Sequence, residues 1–251
     1  MRGSRLVTVL LAWMAAAAAG PAPEAATTAP KLARMPAALE ARFALSALPP
    51  HLRSQATVLV LDPEKGYLTH RPGSNGFTCL VERTEWARAD FRDDVYTPLC
   101  YDAEGTKHHL RVYADVAAWR AAGETAAAVK EKVARRFAAK QYRAPERAGL
   151  SYMLAPLMRT YVNPDVSDRT VATFSMPHHM IYAPNLTARD IGSATPPSPF
   201  AFIFEPGPHG YIVIPLGEQE AAALRETSRD LLSDLCHYQK SLCLAGMASH
   251  K

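Results

Sequence analysis

Between residues 171 and 216 apolar runs alternate with Pro and Gly breaks. Ser175-Met176-Pro177 leads into His178-His179-Met180-Ile181-Tyr182-Ala183, and the runs 200–205 and 211–216 flank Pro206-Gly207-Pro208-His209-Gly210. Runs of this length predict buried strands, the last two as a hairpin. Three of the nine histidines fall at the ends of these runs, so the pattern puts a candidate site here. Earlier, residues 57–61 are apolar and β-branched, Asp62-Pro63-Glu64-Lys65-Gly66 is a turn signal, and residues 67–71 return. A second turn, Pro72-Gly73-Ser74-Asn75-Gly76, leads into residues 77–82, and the three segments together predict an antiparallel meander. Alternation puts Phe77, Cys79 and Val81 on one face of the third strand and Glu82 on the other. After a charged, irregular stretch at 85–94, residues 96–101 predict a short strand that carries Cys100.

Helical spacing takes over in the middle of the chain. Residues 109–122 place Leu110, Tyr113, Val116, Ala117 and Trp119 at helical intervals, and Gly123 ends the run. Thr125 caps a second helix through Lys140, with Val129, Val133 and Phe137 four residues apart. Shorter helices are predicted at 36–45, stopped by Pro49-Pro50, and after Thr187, where Thr-x-x-Asp is a capping pattern. A closing helix spans 218–237, with Ala221, Leu224, Leu231 and Leu235 on one face. Strands, then helices, then strands again predict an α+β fold with a mainly antiparallel sheet and a helical insertion near 103–143. No internal repeat or composition break divides residues 36–244, which read as one domain followed by a loose tail at 245–251.

The N-terminus changes the picture of where the protein works. Arg2 and Arg5 precede an apolar run from Leu6 to Ala19 with small residues at its end, the layout of a secretory signal peptide over residues 1–19. A flexible Pro/Ala/Thr linker follows at 20–35. The apolar run is shorter than the roughly 20 residues a membrane span needs, and no later run reaches that length. The expected location is therefore periplasmic or secreted. Of the formal charge of +4, two charges belong to the leader, which leaves the mature chain near neutrality and gives no basis for nucleic-acid binding. The basic face formed by Lys130, Lys132, Arg135, Arg136 and Lys140 reads as solvated, with Glu131 set to pair with Arg135.

Four cysteines in an exported chain predict disulfides. Three pairings are open, and the simplest joins Cys79 with Cys100 and Cys236 with Cys243. On one continuous helix the second pair would lie about 10 Å apart, so that pairing requires the helix to end between them.

Catalytic signatures are sparse: there is no Gly-x-Ser-x-Gly elbow, His-Glu-x-x-His, phosphate loop or Cys-x-x-Cys. The loop Asn163-Pro164-Asp165-Val166-Ser167-Asp168 lacks the glycine and terminal glutamate of a calcium loop. A nucleophilic Cys79 conflicts with its pairing in an oxidising compartment. The candidate metal ligands are His178, His179, His209 and Glu205, since two imidazoles and a carboxylate around an open position are the ligand set of a hydrolytic zinc site, with Glu205 as ligand or catalytic base. In extended strand His178 and His179 point to opposite faces, so only one of them can join such a site without a bulge.

The segments Asn75-Gly76-Phe77-Thr78-Cys79-Leu80-Val81 and Cys100-Tyr101-Asp102-Ala103-Glu104-Gly105, with residues 178–184, resemble an uncharacterised family of exported bacterial proteins. The resemblance implies export and a bacterial origin; it brings no activity and no catalytic residue. The leading expectation is a non-catalytic binding or accessory protein of the cell envelope, without a cofactor, whose partner is a small molecule or an envelope protein. The alternative is a zinc-dependent hydrolase.

Overall fold

The computed structural model describes residues 31–163, 165–193 and 199–245. The expected signal peptide, most of the expected linker, the centre of the Pro-rich loop and residues 246–251 of the tail lie outside the described residues. The fold is α+β, built on an eight-stranded sheet ordered β2-β1-β3-β4-β5-β8-β10-β9. Its strands are β1 (Thr57–Asp62), β2 (Gly66–Arg71), β3 (Thr78–Glu82), β4 (Thr97–Tyr101), β5 (Leu150–Met153), β8 (His178–Tyr182), β9 (Phe202–Phe204) and β10 (Tyr211–Pro215). A separate two-stranded ribbon, β6 (Met158–Tyr161) with β7 (Val171–Phe174), is tied to the rest by a bridge between Tyr96 and Arg159.

The N-terminal hairpin forms as the turn signals require, but the expected meander does not continue. β3 pairs with β1, in parallel, instead of with β2. The Pro72–Gly76 loop folds back onto the start of β1, where Ser74 N–H donates to the Gln55 carbonyl at 2.8 Å and Thr57 N–H donates to the Phe77 carbonyl at 2.8 Å. Side chains explain the choice: every residue of β3 is buried, whereas Leu68, Thr69 and His70 of β2 are exposed, so the more apolar strand takes the interior position.

Each face of the sheet has its own core. On one, α1 (Ala37–Ser46) and α7 (Arg229–Tyr238) bring Phe43, Ala44, Leu48, Leu231 and Leu235 against Cys79, Val81 and Cys100. On the other, Leu80, Leu99, Tyr101, Met180, Tyr211 and Val213 meet Leu110 of α3 (His109–Ala121), and α4 (Ala126–Ala138) packs on α3 through Val112, Val116, Val129 and Val133. With α2 (Ala103–Lys107), these two helices are the expected insertion. Gly66 is required where α3 crosses β2: its φ is +87° and a Cβ there would lie 3.1 Å from the Ala118 backbone nitrogen.

Both cysteine pairs are bridged. Cys79 and Cys100 face each other across β3 and β4, and Cys236 reaches Cys243 because α7 ends at Tyr238, which brings the Cα atoms within 4.5 Å. The caps follow the sequence as well: the Thr125 hydroxyl accepts from Ala128 N–H at 3.2 Å, and Thr187 with Asp190 closes a capping box on α5 (Ala188–Ile191). The basic face of α4 is paired as expected, with Glu131 2.7 Å from Arg135.

Two further expectations need correction. The closing helix is broken at Ser228 into α6 (Glu218–Thr227) and α7. Thr227 turns its hydroxyl back onto the carbonyls of Ala223 and Leu224, a bond that bends helices, and the break lets α7 settle against α1. The end of the linker is packed rather than free: Leu32 sits against Leu61 and Ala117, and Met35, 2% exposed, joins the core under α1. Among the described residues no helix is long and apolar enough to cross a membrane.

Candidate functional site

Of the four residues singled out as metal ligands, His178 and Glu205 line one cavity, whereas His179 and His209 do not. His178 opens β8, whereas His209 lies two residues before Tyr211, the partner of Tyr182 at the far end of that strand. Four residues of extended chain separate the two ends by about 13 Å. His179 points to the opposite face from His178 and packs edge-on to Tyr152. The imidazole of His209 hydrogen-bonds the Arg143 carbonyl at 2.9 Å and stands beside His109 and Phe137. His178 is 3% exposed and its Nδ1–H donates to the Met176 carbonyl at 2.7 Å. Among the described residues no three His, Cys, Asp or Glu side chains are gathered to hold a metal ion. Pleating and register, together, dismantle the zinc arrangement.

Glu205 lines a cavity that His178 also borders. The cavity, of about 640 Å³, lies between one face of the large sheet and the β6–β7 ribbon. Its floor is made by alternate residues of neighbouring strands: Leu99, Met153, Met180, Val213 and Phe202. Met158, Ala172 and Phe174 of the ribbon form the roof, and Tyr113 of α3 closes one wall. In the ribbon residues 158–161 and 171–174 pair in register, and Arg88 ties residues 163, 165 and 168 between them. One guanidinium nitrogen of Arg88 donates to the carbonyls of Asp165 and Asp168 at 2.6 and 2.7 Å, and the other donates to that of Asn163. The group also stacks on the Tyr161 ring. The charge of Arg88 is thus held by the loop's carbonyl oxygens.

Three carboxyls face this mostly apolar space: Glu82 at the end of β3, Glu85 just beyond it, and Glu205 after β9. Glu85 accepts from its own Ala87 N–H at 3.0 Å. Glu82 is 8% exposed, and among the described residues its carboxyl has neither hydrogen bond nor ion pair. Burial pushes Glu82 well above the usual carboxylate range, reinforced by Glu85 and Glu205. Burial likewise raises Glu205 to about 8, with Glu85 adding to the effect, and raises Glu85, opposed by its Ala87 hydrogen bond and by Arg88. Glu205 also holds a left-handed backbone, φ +50°, which a non-glycine residue adopts only at some strain. Strain and unpaired carboxyls at one cavity are features that folding alone does not favour.

A second cluster lies behind the cavity. His109, 1% exposed, has ring centroids 4.5 Å from Tyr182, 4.7 Å from Tyr211 and 4.5 Å from His209, and neither of its nitrogens reaches a partner at hydrogen-bonding geometry. Burial pushes it down to about 3, helped by His209. His178 is lowered by burial to about 4. A histidine whose folded pKa is depressed stays neutral in the native state while the unfolded chain takes up a proton. Stability is therefore complete above about 6.5 and falls as the pH drops from there toward 3. In the His109→Phe variant the slope of unfolding free energy against pH between 6 and 4 is expected to lose about one proton. Denaturation series at three pH values check this, and an unchanged slope would show that His109 is protonated in the native state.

No family model, curated protein or solved structure matches this chain.

Proposed function

We propose that the protein is an exported, soluble, non-catalytic binding protein of the bacterial cell envelope, and that its cavity takes a small, largely apolar molecule. The cavity carries this reading. Its volume falls in the range of small-molecule sites, with an apolar lining and a few convergent polar groups. The two disulfides support export to an oxidising compartment, in line with the apolar leader and with the family resemblance of residues 75–81 and 100–105. The hydrolase reading lacks support, because His179 and His209 do not join His178 and Glu205 at the cavity, and among the described residues no three such side chains are gathered.

A titration with an environment-sensitive apolar fluorophore such as Nile red tests the binding reading. Saturable one-to-one uptake with blue-shifted emission is expected in the wild type. Ala172→Trp, which fills the roof side of the cavity with an indole, should abolish uptake while leaving the near-native far-ultraviolet spectrum in place. Absence of saturable uptake, or equal uptake by the filled variant, overturns the reading.

A further inference from the structure

We propose that the cavity selects amphipathic organic cations, an apolar body carrying a protonated amine whose N–H groups are received by Glu82 with Glu205 and Glu85 beside it. This rests on the cavity being the binding site. Three ligand classes fit the apolar lining, and the polar groups decide among them. A neutral hydrocarbon would leave the Glu82 carboxyl buried and unpartnered, with no compensation for its lost hydration. An anionic amphiphile would need a free cation, and Arg88, the guanidinium that lines the cavity, is already taken up by the carbonyls of Asn163, Asp165 and Asp168. Its charge would also be repelled by the three carboxyls as they ionise at higher pH. A primary ammonium has three donors and no acceptor, the complement of this group of acceptors. Aromatic rings supply the remaining contact, since Tyr113, Tyr211 and Phe204 line the same cavity and ring faces attract cations.

The unpartnered state of Glu82 is the observation that points outward. A carboxyl that is nine-tenths buried and faces an open volume is satisfied when a donor enters that volume. The titratable and charged groups facing it are Glu85 and Arg88 from the β3–β4 connection, Tyr113 from α3, Tyr161 from the ribbon, His178 from β8, and Glu205 and Tyr211 from the β9–β10 hairpin, with Tyr67 of β2 and Tyr101 of β4 close enough to feel its charge. His178 is neutral and Arg88 is occupied, so an entering ammonium has no cationic competitor nearby. Binding a cation expels protons from the carboxyls, and affinity therefore rises with pH until the amine itself deprotonates.

The test compares octylamine, octanol and octanoate, equal in chain length and all monomeric at the concentrations used. Each is titrated calorimetrically into the intact mature protein at pH 6 and pH 8.5, with the Glu82→Gln variant alongside. The expected result is that octylamine binds at least tenfold tighter than octanol, that its advantage grows toward pH 8.5, and that Glu82→Gln removes the advantage without removing octanol binding. Equal affinities for amine and alcohol, or tighter binding of octanoate, overturn the selectivity while leaving the cavity as the site. Failure of all three ligands to bind a folded protein overturns the cavity reading as well. An advantage that survives intact in Glu82→Gln overturns the role of Glu82.

Discussion

Replacing Glu205 by Gln is expected to raise the thermal midpoint at pH 7.5 by roughly 10 °C and to leave it almost unchanged at pH 4.5. The reason is the direction of the proton linkage. Burial and the neighbouring Glu85 lift the Glu205 carboxyl from 4.5 to about 8, so the native state keeps a proton that the unfolded chain has already released. Between those two values the native state binds more protons, and stability falls as the pH rises through the window. Integrated to pH 7.5, that difference disfavours the native state by roughly a few kcal/mol. Glutamine keeps the shape and the hydrogen-bonding reach without the titration. Glu82, raised in the same direction by burial and by the same two carboxyls, should respond with the same sign. Melting curves of wild type and both variants at pH 4.5 and 7.5 decide the matter. A variant that loses stability at pH 7.5 would mean that the native carboxylate is ionised and favourably paired. Groups retained at such an energetic disadvantage are characteristic of sites selected for binding or chemistry rather than for folding.

The second large effect concerns the covalent frame beneath the cavity. Changing Cys79 and Cys100 together to Ala should lower the unfolding free energy by about 3 kcal/mol, from the restored freedom of the loop that the bridge closes in the unfolded chain. The sequence separation is 21 for this bridge and 7 for Cys236–Cys243, so the corresponding double substitution at the second bridge should lower it less, by about 2 kcal/mol. Position widens the gap. Both sulfurs of the first pair are wholly buried against α1, and the strands they join, β3 and β4, carry Glu82 and Leu99 into the cavity. Urea denaturation of the two double variants gives the comparison. Equal losses, or a larger loss at Cys236–Cys243, would contradict it.

Much of this architecture was readable from the chain because local signals agreed with one another. Pro and Gly bracketed the runs that became β8, β9 and β10, Thr187 and Asp190 announced their own cap, and nearness in sequence picked the two bridges. Non-local choices were harder to read. Nothing in the order of three strands says that β3 will pass over β2 to lie beside β1; that depends on which strand gains more by burial on both faces. The break at Ser228 depends on where α7 must go to meet α1, and the burial of Met35 on a hydrophobic site that only the folded α1 creates.

The site shows the same divide. Histidines at strand ends suggested metal chemistry, but the register sent His178 and His209 to opposite ends of one strand. Glu205 shares its cavity with His178 but with neither His179 nor His209. Glu82 carried a sequence signal: a carboxylate within Thr78-Cys79-Leu80-Val81-Glu82, facing away from Cys79, in a strand otherwise apolar. Glu85 lay in a charged stretch with no such pattern, and it reaches the cavity only because the loop turns inward after β3.

The most direct test of the cavity and its polar end is a crystal structure of the mature protein with octylamine. An alkyl chain is expected between the β6–β7 ribbon and the floor strands, with the nitrogen about 2.8 Å from a Glu82 carboxyl oxygen. An alkyl chain bound outside the cavity, or one inside it with the nitrogen turned away from Glu82, would contradict the account.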